Sequence, residues 1–212
     1  MSSDKIPQTL IEEAETWCIK DDNVRHDKIQ RETARYPYLI KNMGLSAIDT
    51  SPMVIVDIGG GPVGVSHALP SRKRIVIDPL TDEYREYFPC TNHIKGFGES
   101  LPFNDNSIDL VIITNALDHT QNPAEVIKEV KRVLKPGGYF SHYHAINNAI
   151  THKHAAHQMN VNPEWMHEEL DTDFETVWEL KYPEIRYGWH EYNGKIGQPA
   201  FCGLFRKVTG YA

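Results

Sequence analysis

Two acidic residues, Asp57 and Asp78, each close a short run of β-branched and aliphatic residues, and Asp57 is followed almost at once by Gly59, Gly60, Gly61 and Gly64. Runs of this kind read as buried parallel strands, while the glycines let the backbone approach a ligand that any Cβ would obstruct. Strand ends of this chemistry beside such a turn make a nucleotide-type site. Asp78 is placed to accept two hydroxyl hydrogen bonds from a ribose diol, with Pro79 and Leu80 as a wall for the base. The alternatives are an N-cap of the following helix for Asp78 and a turn-stabilising contact with nearby backbone N–H groups for Asp57.

The turn admits two ligands. Gly59, Gly61 and Gly64 satisfy the G-x-G-x-x-G pattern that receives a pyrophosphate, but Asp57 would repel a pyrophosphate and suits an ammonium group. Proton transfer would fall to the histidines, of which the chain has 11, because an imidazole titrates near neutral pH. His119 follows an expected strand ending near Asn115, which places it at the cleft outside the carboxyl ends of the strands. His142 and His144, two apart at the end of another expected strand, share one face. These three are the candidate catalytic bases. His154 and His157 could meet on one helical face at permissible ligand spacing. They read better as part of a polar cover over the substrate mouth, with Asn147, Asn148, Trp165 and Trp189 as further contacts.

These residues need a scaffold of alternating strands and helices. Leu10, Ile11, Ala14, Trp17 and Cys18 fall on one helical face, predicting an amphipathic helix over 7–20 and a second over 24–36 that Pro37 should interrupt or end. Asn122, Pro123 and Glu125 form a helix start, and Val126, Ile127, Val130, Val133 and Leu134 give its buried stripe before Pro136, Gly137 and Gly138 turn the chain into a strand. Residues 174–180 and 201–208 read as an antiparallel pair at the sheet edge, joined by the Gly- and aromatic-rich segment 187–198. The expected fold class is α/β: a Rossmann-like, doubly wound, mostly parallel sheet with an antiparallel edge strand and N-terminal capping helices. The expected organisation is one domain over 1–212, with a helical cap (1–45), a cofactor-binding core (52–145) and a substrate-side segment with the edge strands (146–212).

Four further segments, in order and spacing, carry a family resemblance: 98–103 (Gly-Glu-Ser-Leu-Pro-Phe), 105–113, 115–119 (Asn-Ala-Leu-Asp-His) and 133–138 (Val-Leu-Lys-Pro-Gly-Gly). Together with the glycine turn, residues 53–143 resemble the class I S-adenosylmethionine-dependent methyltransferases, and within them the small enzymes that methylate quinones, sugars and other metabolites. The resemblance implies that Asp57, Gly59 and Gly61 surround the methionine part of S-adenosylmethionine and that Asp78 holds its ribose. It also implies that Gly98 and Glu99 flank adenine and that the Asn115 backbone lies next to the sulfonium. Where the family often places an acid for the adenine amino group this chain has Phe97, so either Glu99 makes that bond or adenine is held by stacking and backbone. Residues 115–119 are similar to the acid-x-x-acid-His segment of ubiquinone-pathway O-methyltransferases, which helps bind a divalent cation. Asn115 stands at its first acid, and the metal stays unassigned. In the family such leading helices close over the cofactor, which makes Tyr36 and Tyr38 either lid or core residues.

With 212 residues, a formal charge of −7 and a pI near 5.9, the chain is one domain's worth of sequence and offers no footprint for a nucleic-acid backbone. The basic clusters at 71–74 and at Lys128, Lys131, Arg132 and Lys135 read as solvated surface. Three cysteines without a C-x-x-C pair suit reduced thiols, and no leader-like or membrane-spanning apolar run is found, so the expectation is a cytoplasmic protein that engages no membrane. The expected activity is methyl transfer from S-adenosylmethionine to a small polar acceptor, a small molecule or glycan precursor, with O-methylation ahead of N-methylation. The alternatives are an NAD(P)-dependent oxidoreductase, although no catalytic Tyr-x-x-x-Lys is found, and a catalytically silent S-adenosylmethionine-binding partner subunit.

Overall fold

The computed structural model describes residues 8–145, 161–181 and 200–209. His152, His154, His157, Asn147, Asn148, Trp189 and the segment 187–198 lie outside the described residues. Seven strands form one sheet in the order β3-β2-β1-β4-β5-β7-β6. They are β1 (Val54–Ile58), β2 (Lys73–Ile77), β3 (His93–Ile94), β4 (Ile108–Thr114), β5 (Leu134–Ala145), β6 (Phe174–Leu180) and β7 (Ala200–Lys207). The first five strands pair in parallel, and β7 runs antiparallel to both β5 and β6. The fold is α/β and Rossmann-like, with the chain switching from one side of β1 to the other between β3 and β4. That switch point, at the carboxyl ends of β1 and β4, is where such sheets open a crevice.

Two apolar layers enclose the sheet. On one face α5 (Pro123–Val133) and α6 (Pro163–Leu170) bury Val126, Ile127, Val130, Val133, Met166 and Leu170 against Val56, Val111, Phe140 and Phe205. On the other, α3 (Tyr36–Asn42) and the turn after it set Leu39, Met43 and Leu45 against Ile55, Leu110, Ile112 and Tyr143. Alternation along β5 therefore sends Ser141 and Tyr143 to the α3 side and Phe140, His142 and His144 to the α5 side. The last carbonyls of α3, which lack helical partners, are met from the sheet. Asn42 O accepts from Trp178 Nε1 at 3.1 Å and Cys202 Sγ at 2.8 Å, and Met43 O from Ser141 Oγ at 3.0 Å. Gly44, at φ 70°, then lets the chain leave the helix, and a Cβ there would press on Trp178.

Sequence and structure part at three helices. α1 (Gln8–Trp17) and α2 (Asp22–Thr33) form near the expected spans, α2 starting two residues early because Asp21 caps Asn23 and Val24 N–H. Pro37 lies in the first turn of α3 instead of ending α2, since a residue without N–H and with φ fixed costs nothing there. After the glycine turn the chain makes only a short 3₁₀ segment, Val65–Ala68, before β2, and a single helical turn, α4 (Thr81–Tyr84), follows β2.

α5 starts as expected, with the Glu125 N–H donating to Asn122 Oδ1 and Pro123 in the first turn. It also anchors 98–103: Leu101 N–H donates to Glu129, while Arg132 donates to the carbonyls of Leu101 and Phe103 and pairs with Glu129 and Asp105. The Glu129 and Asp105 carboxylates hold the Arg132 guanidinium well above its ordinary proton affinity. Its neighbours in the basic cluster are paired too, Lys128 with Glu125, Lys131 with Asp173 and Lys135 with Asp109. Among the described residues, no helix is long and apolar enough to cross a membrane.

Candidate functional site

A cavity of about 330 Å³ opens at the switch point. Its floor is the carboxyl ends of β1, β2 and β4 with the glycine turn; Phe97, Gly98 and Glu99 line it after β3, and the N-terminal helices roof it. This size suits a cofactor-sized ligand.

The glycine turn is fixed from every side. Gly59 N–H donates to Ile77 O at 2.8 Å, Gly61 N–H to Asp78 Oδ2 at 3.0 Å, and Tyr36 Oη to Val63 O at 2.7 Å. The rings of His93 and His67 lie 2.9 and 3.0 Å from the carbonyls of Gly61 and Gly64, and burial holds both histidines below their usual proton affinity, so each can donate as a neutral imidazole. Sequence reasoning missed these two, although His67, three residues after Gly64, was within reach of a local argument. Gly59 and Gly61 adopt φ of 66° and 57°. A Cβ on Gly59 would sit 2.4 Å from that of Ala116, whereas one on Gly61 would meet nothing within 4 Å and would point into open space. The Gly61 backbone is therefore bare toward a ligand.

Asp78 lines this cavity, as expected of a ribose ligand, and its carboxylate also ties the local backbone: Oδ1 accepts from Leu80 N–H at 2.9 Å and Oδ2 from Gly61 N–H, while the short helix Thr81–Tyr84 that follows starts from Leu80 with no side-chain cap. Asp57 requires a correction. It does not line the cavity; its carboxylate lies fully buried beneath the turn, where Cβ atoms on Gly60 or Gly64 would strike it at 2.7 and 2.5 Å, and its Oδ2 accepts from Ser66 N–H. Desolvation pushes its carboxyl up to about 6, against the opposing pull of Ser66 and Arg74. The expected contact with the methionine part is thus replaced by support of the turn from below.

This burial has a pH signature. The folded carboxyl holds its proton to about pH 6 while the unfolded one releases it near 3.8, so unfolding becomes progressively easier as pH rises through that window and stays so above it. Asp57→Asn is expected to remove that decline and to make the ligand-free protein about 1 to 3 kcal/mol more stable at pH 7.5. Chemical denaturation at pH 4 and pH 7.5 checks this; a variant with the wild-type pH slope would show that Asp57 is ionised throughout.

Pro79, Leu80, Phe97, Gly98, Leu117 and Val126 form the apolar end of the cavity. Phe97, 44% exposed, offers its ring there, and a Cβ on Gly98 would sit 2.9 Å from Ile58 and 3.1 Å from Val126. Glu99 lines the same end, and its Oε1 accepts from Gln121 and Asn122 N–H ahead of α5. Asn115 lies at the lip with φ 51°, a conformation uncommon for a residue with a side chain, and its N–H donates to Tyr143 O at 2.7 Å.

The three histidines separate. His119 lines the cavity with its side chain 25% exposed. His142 does not: its ring lies in the core, 4.6 Å from the Phe201 ring and stacked 5.8 Å from Phe205, and desolvation pushes its proton affinity down to about 3. It cannot serve as a base at the cleft. His144 is buried and does not line the cavity, but it lies behind it with Asp118: Asp118 Oδ1 is 3.7 Å from His144 Nδ1 and 3.7 Å from His119 Nε2. Trp165 packs against the core on α6 and is absent from the cavity lining. Among the described residues no group of three or more His, Cys, Asp or Glu side chains could hold a metal ion. The three cysteines are free thiols whose proton affinity burial raises, that of Cys202 to about 12, so none is poised as a nucleophile.

The roof comprises Leu10, Thr16 and Trp17 from α1, Lys28 and Glu32 from α2, and Arg35, Tyr36 and Leu39 at α3. Tyr36 is a lining residue tied to the turn, whereas Tyr38 points outward, 39% exposed. A ligand that joins roof to floor should slow amide exchange over residues 10–43 more than in β6 and β7, measurable by hydrogen–deuterium exchange with and without S-adenosylhomocysteine. Uniform protection would reduce α1 and α2 to ordinary packing.

Comparison with known proteins agrees with this geometry. Residues 56–142 match the family model described as a methyltransferase domain. An uncharacterized methyltransferase of Mycobacterium bovis is 36% identical over 89 residues, which are 40% of this chain and 36% of that protein. The aligned region thus spans about a third of the length of such relatives. A probable phthiotriol/phenolphthiotriol dimycocerosates methyltransferase of Mycobacterium ulcerans is 38% identical over 60 residues, 28% of this chain and 23% of its own. Among solved structures, a chain from the complex of a Haloferax volcanii methyltransferase with the Trm112 methyltransferase activator superposes with a TM-score of 0.67 at 16% identity, covering 93% of this chain and 98% of that one. The cyclase SpnF superposes at 0.62 and 17% identity, covering 85% and 82%. At such identities the likeness is one of fold, which does not by itself fix the reaction.

Proposed function

We propose that the protein transfers the methyl group of S-adenosylmethionine to a hydroxyl of a small polar acceptor, a reading supported by the match of residues 56–142 to the methyltransferase-domain family model. The observation that carries this reading is the cavity at the β1/β4 switch point, where the bare Gly61 backbone, Asp78 and His119 share one lining. Gly59, Gly61 and Asp78 would hold the methionine part and ribose of the cofactor, and Pro79, Leu80, Phe97 and Gly98 its adenine. Bound there, the cofactor supplies an electrophilic methyl on a sulfonium. The chain's own tasks are to exclude water with its helical roof, to align the acceptor in line with that methyl and to take up the hydroxyl proton on His119.

A dinucleotide fits less well. A pyrophosphate is held at the N-terminus of an α-helix that begins at the glycine turn, and here only Val65–Ala68, a single 3₁₀ turn, follows it. The buried Asp57 beneath the turn would also oppose further negative charge. A small-molecule or glycan-precursor acceptor and a cytoplasmic location remain parts of the proposal that rest on sequence. The test is a screen of hydroxylated metabolites, amines and sugar precursors for S-adenosylhomocysteine release. Turnover of hydroxyl acceptors supports the reading, turnover of amines alone reverses the O-over-N preference, and tight cofactor binding with no turnover favours a silent partner subunit.

A further inference from the structure

The residues behind His119 form a linked set that the proposed chemistry has not yet used. Asp118 is 1% exposed, on the short 3₁₀ turn Leu117–His119 that follows β4, and His144 is 3% exposed at the end of β5. The Asp118 Oδ1 lies 3.7 Å from an imidazole nitrogen on either side, His119 Nε2 toward the cavity and His144 Nδ1 toward the core. At that separation a carboxylate and a neutral imidazole interact weakly, whereas a carboxylate and an imidazolium attract strongly where water is excluded. We propose that Asp118 is the positioning residue of the site: it orients His119 through Nε2 and holds the positive charge that His119 acquires, with His144 as a second imidazole competing for the same carboxylate.

The inference rests on the reading of His119 as the base. In the step it describes, the acceptor O–H bond breaks and its proton goes to His119, while the acceptor oxygen forms the new O–CH₃ bond. The S–CH₃ bond breaks with its electron pair remaining on sulfur, which becomes a neutral thioether. The proton leaves from His119, the only one of the three groups that lines the cavity, to solvent. Among the described residues, other titratable groups on this side are His142, next on the same face of β5, His167 on α6 and Glu99 in the cavity lining. Neither His142 nor His167 lines the cavity.

Nuclear magnetic resonance titration of the histidine rings in the full-length protein tests the linkage with neither acceptor nor cofactor, so its outcome is separable from that of the methyl-transfer reading. In Asp118→Asn, which keeps the shape and removes the charge, the proton affinities of both His119 and His144 should fall by about tenfold or more, the span for losing an opposite charge at this range. In His144→Gln, His119 alone should gain affinity, because it no longer shares the carboxylate. Midpoints unchanged within about twofold for His119 in both variants would overturn the proposal. Should Asp118→Asn fail to fold, His144→Gln alone decides it. With an acceptor from the screen, kcat of Asp118→Asn should fall with KM little changed; a change confined to KM would make Asp118 a purely structural residue.

Discussion

Replacing His119 by Gln or Ala is expected to lower turnover by roughly 10²- to 10⁴-fold while leaving the affinity for S-adenosylmethionine nearly unchanged, the span for a lost general base. The size of the effect follows from the scarcity of substitutes among the described residues. His142 lies among Phe140, Phe201 and Phe205 with its proton affinity pushed to about 3, and His144 stands behind Asp118 without reaching the cavity. Among the described residues, a second imidazole could take over only if the end of β5 moved. Initial rates with saturating cofactor separate the outcomes: a His119 variant working at near wild-type rate would mean that alignment alone suffices.

Removing the Asp78 carboxylate is the second large effect. Asp78→Ala should weaken S-adenosylmethionine binding by about 1.5 to 3 kcal/mol, the value of a charge-assisted hydrogen-bonded pair. Because Asp78 also accepts from Gly61 and Leu80 N–H, the substitution loosens the turn as well as the ribose site. A melting temperature measured alongside calorimetry distinguishes the two contributions. Unchanged affinity would place the ribose elsewhere.

The local features of the site were legible because each is written in a few adjacent residues. The strands ending in acids, the glycine turn and the Asn122–Pro123 helix start all depend on short-range sterics and hydrogen bonding. The depth of a side chain was not legible. Spacing put His142 and His144 on one face of β5, as found, but whether that face meets solvent or core is decided by Phe201 and Phe205, which arrive from β7 far along the chain. Asp57 shows the same limit: its position on β1 was readable, but its place beneath Gly60 and Gly64 follows from how the turn folds back over it. Glu99 was expected near adenine and does line the cavity, yet it also holds the backbone entering α5 through Gln121 and Asn122. Pro37 marks a boundary in the sequence without saying which side of it the helix occupies.

The most direct test of the methyltransferase reading is calorimetric titration of the purified chain with S-adenosylmethionine, S-adenosylhomocysteine and NAD⁺ under identical conditions. Saturable binding of both adenosyl ligands at one site, weakened by Asp78→Ala, with no heat from NAD⁺, is the predicted result. Binding of NAD⁺ with no response to either adenosyl ligand would contradict it.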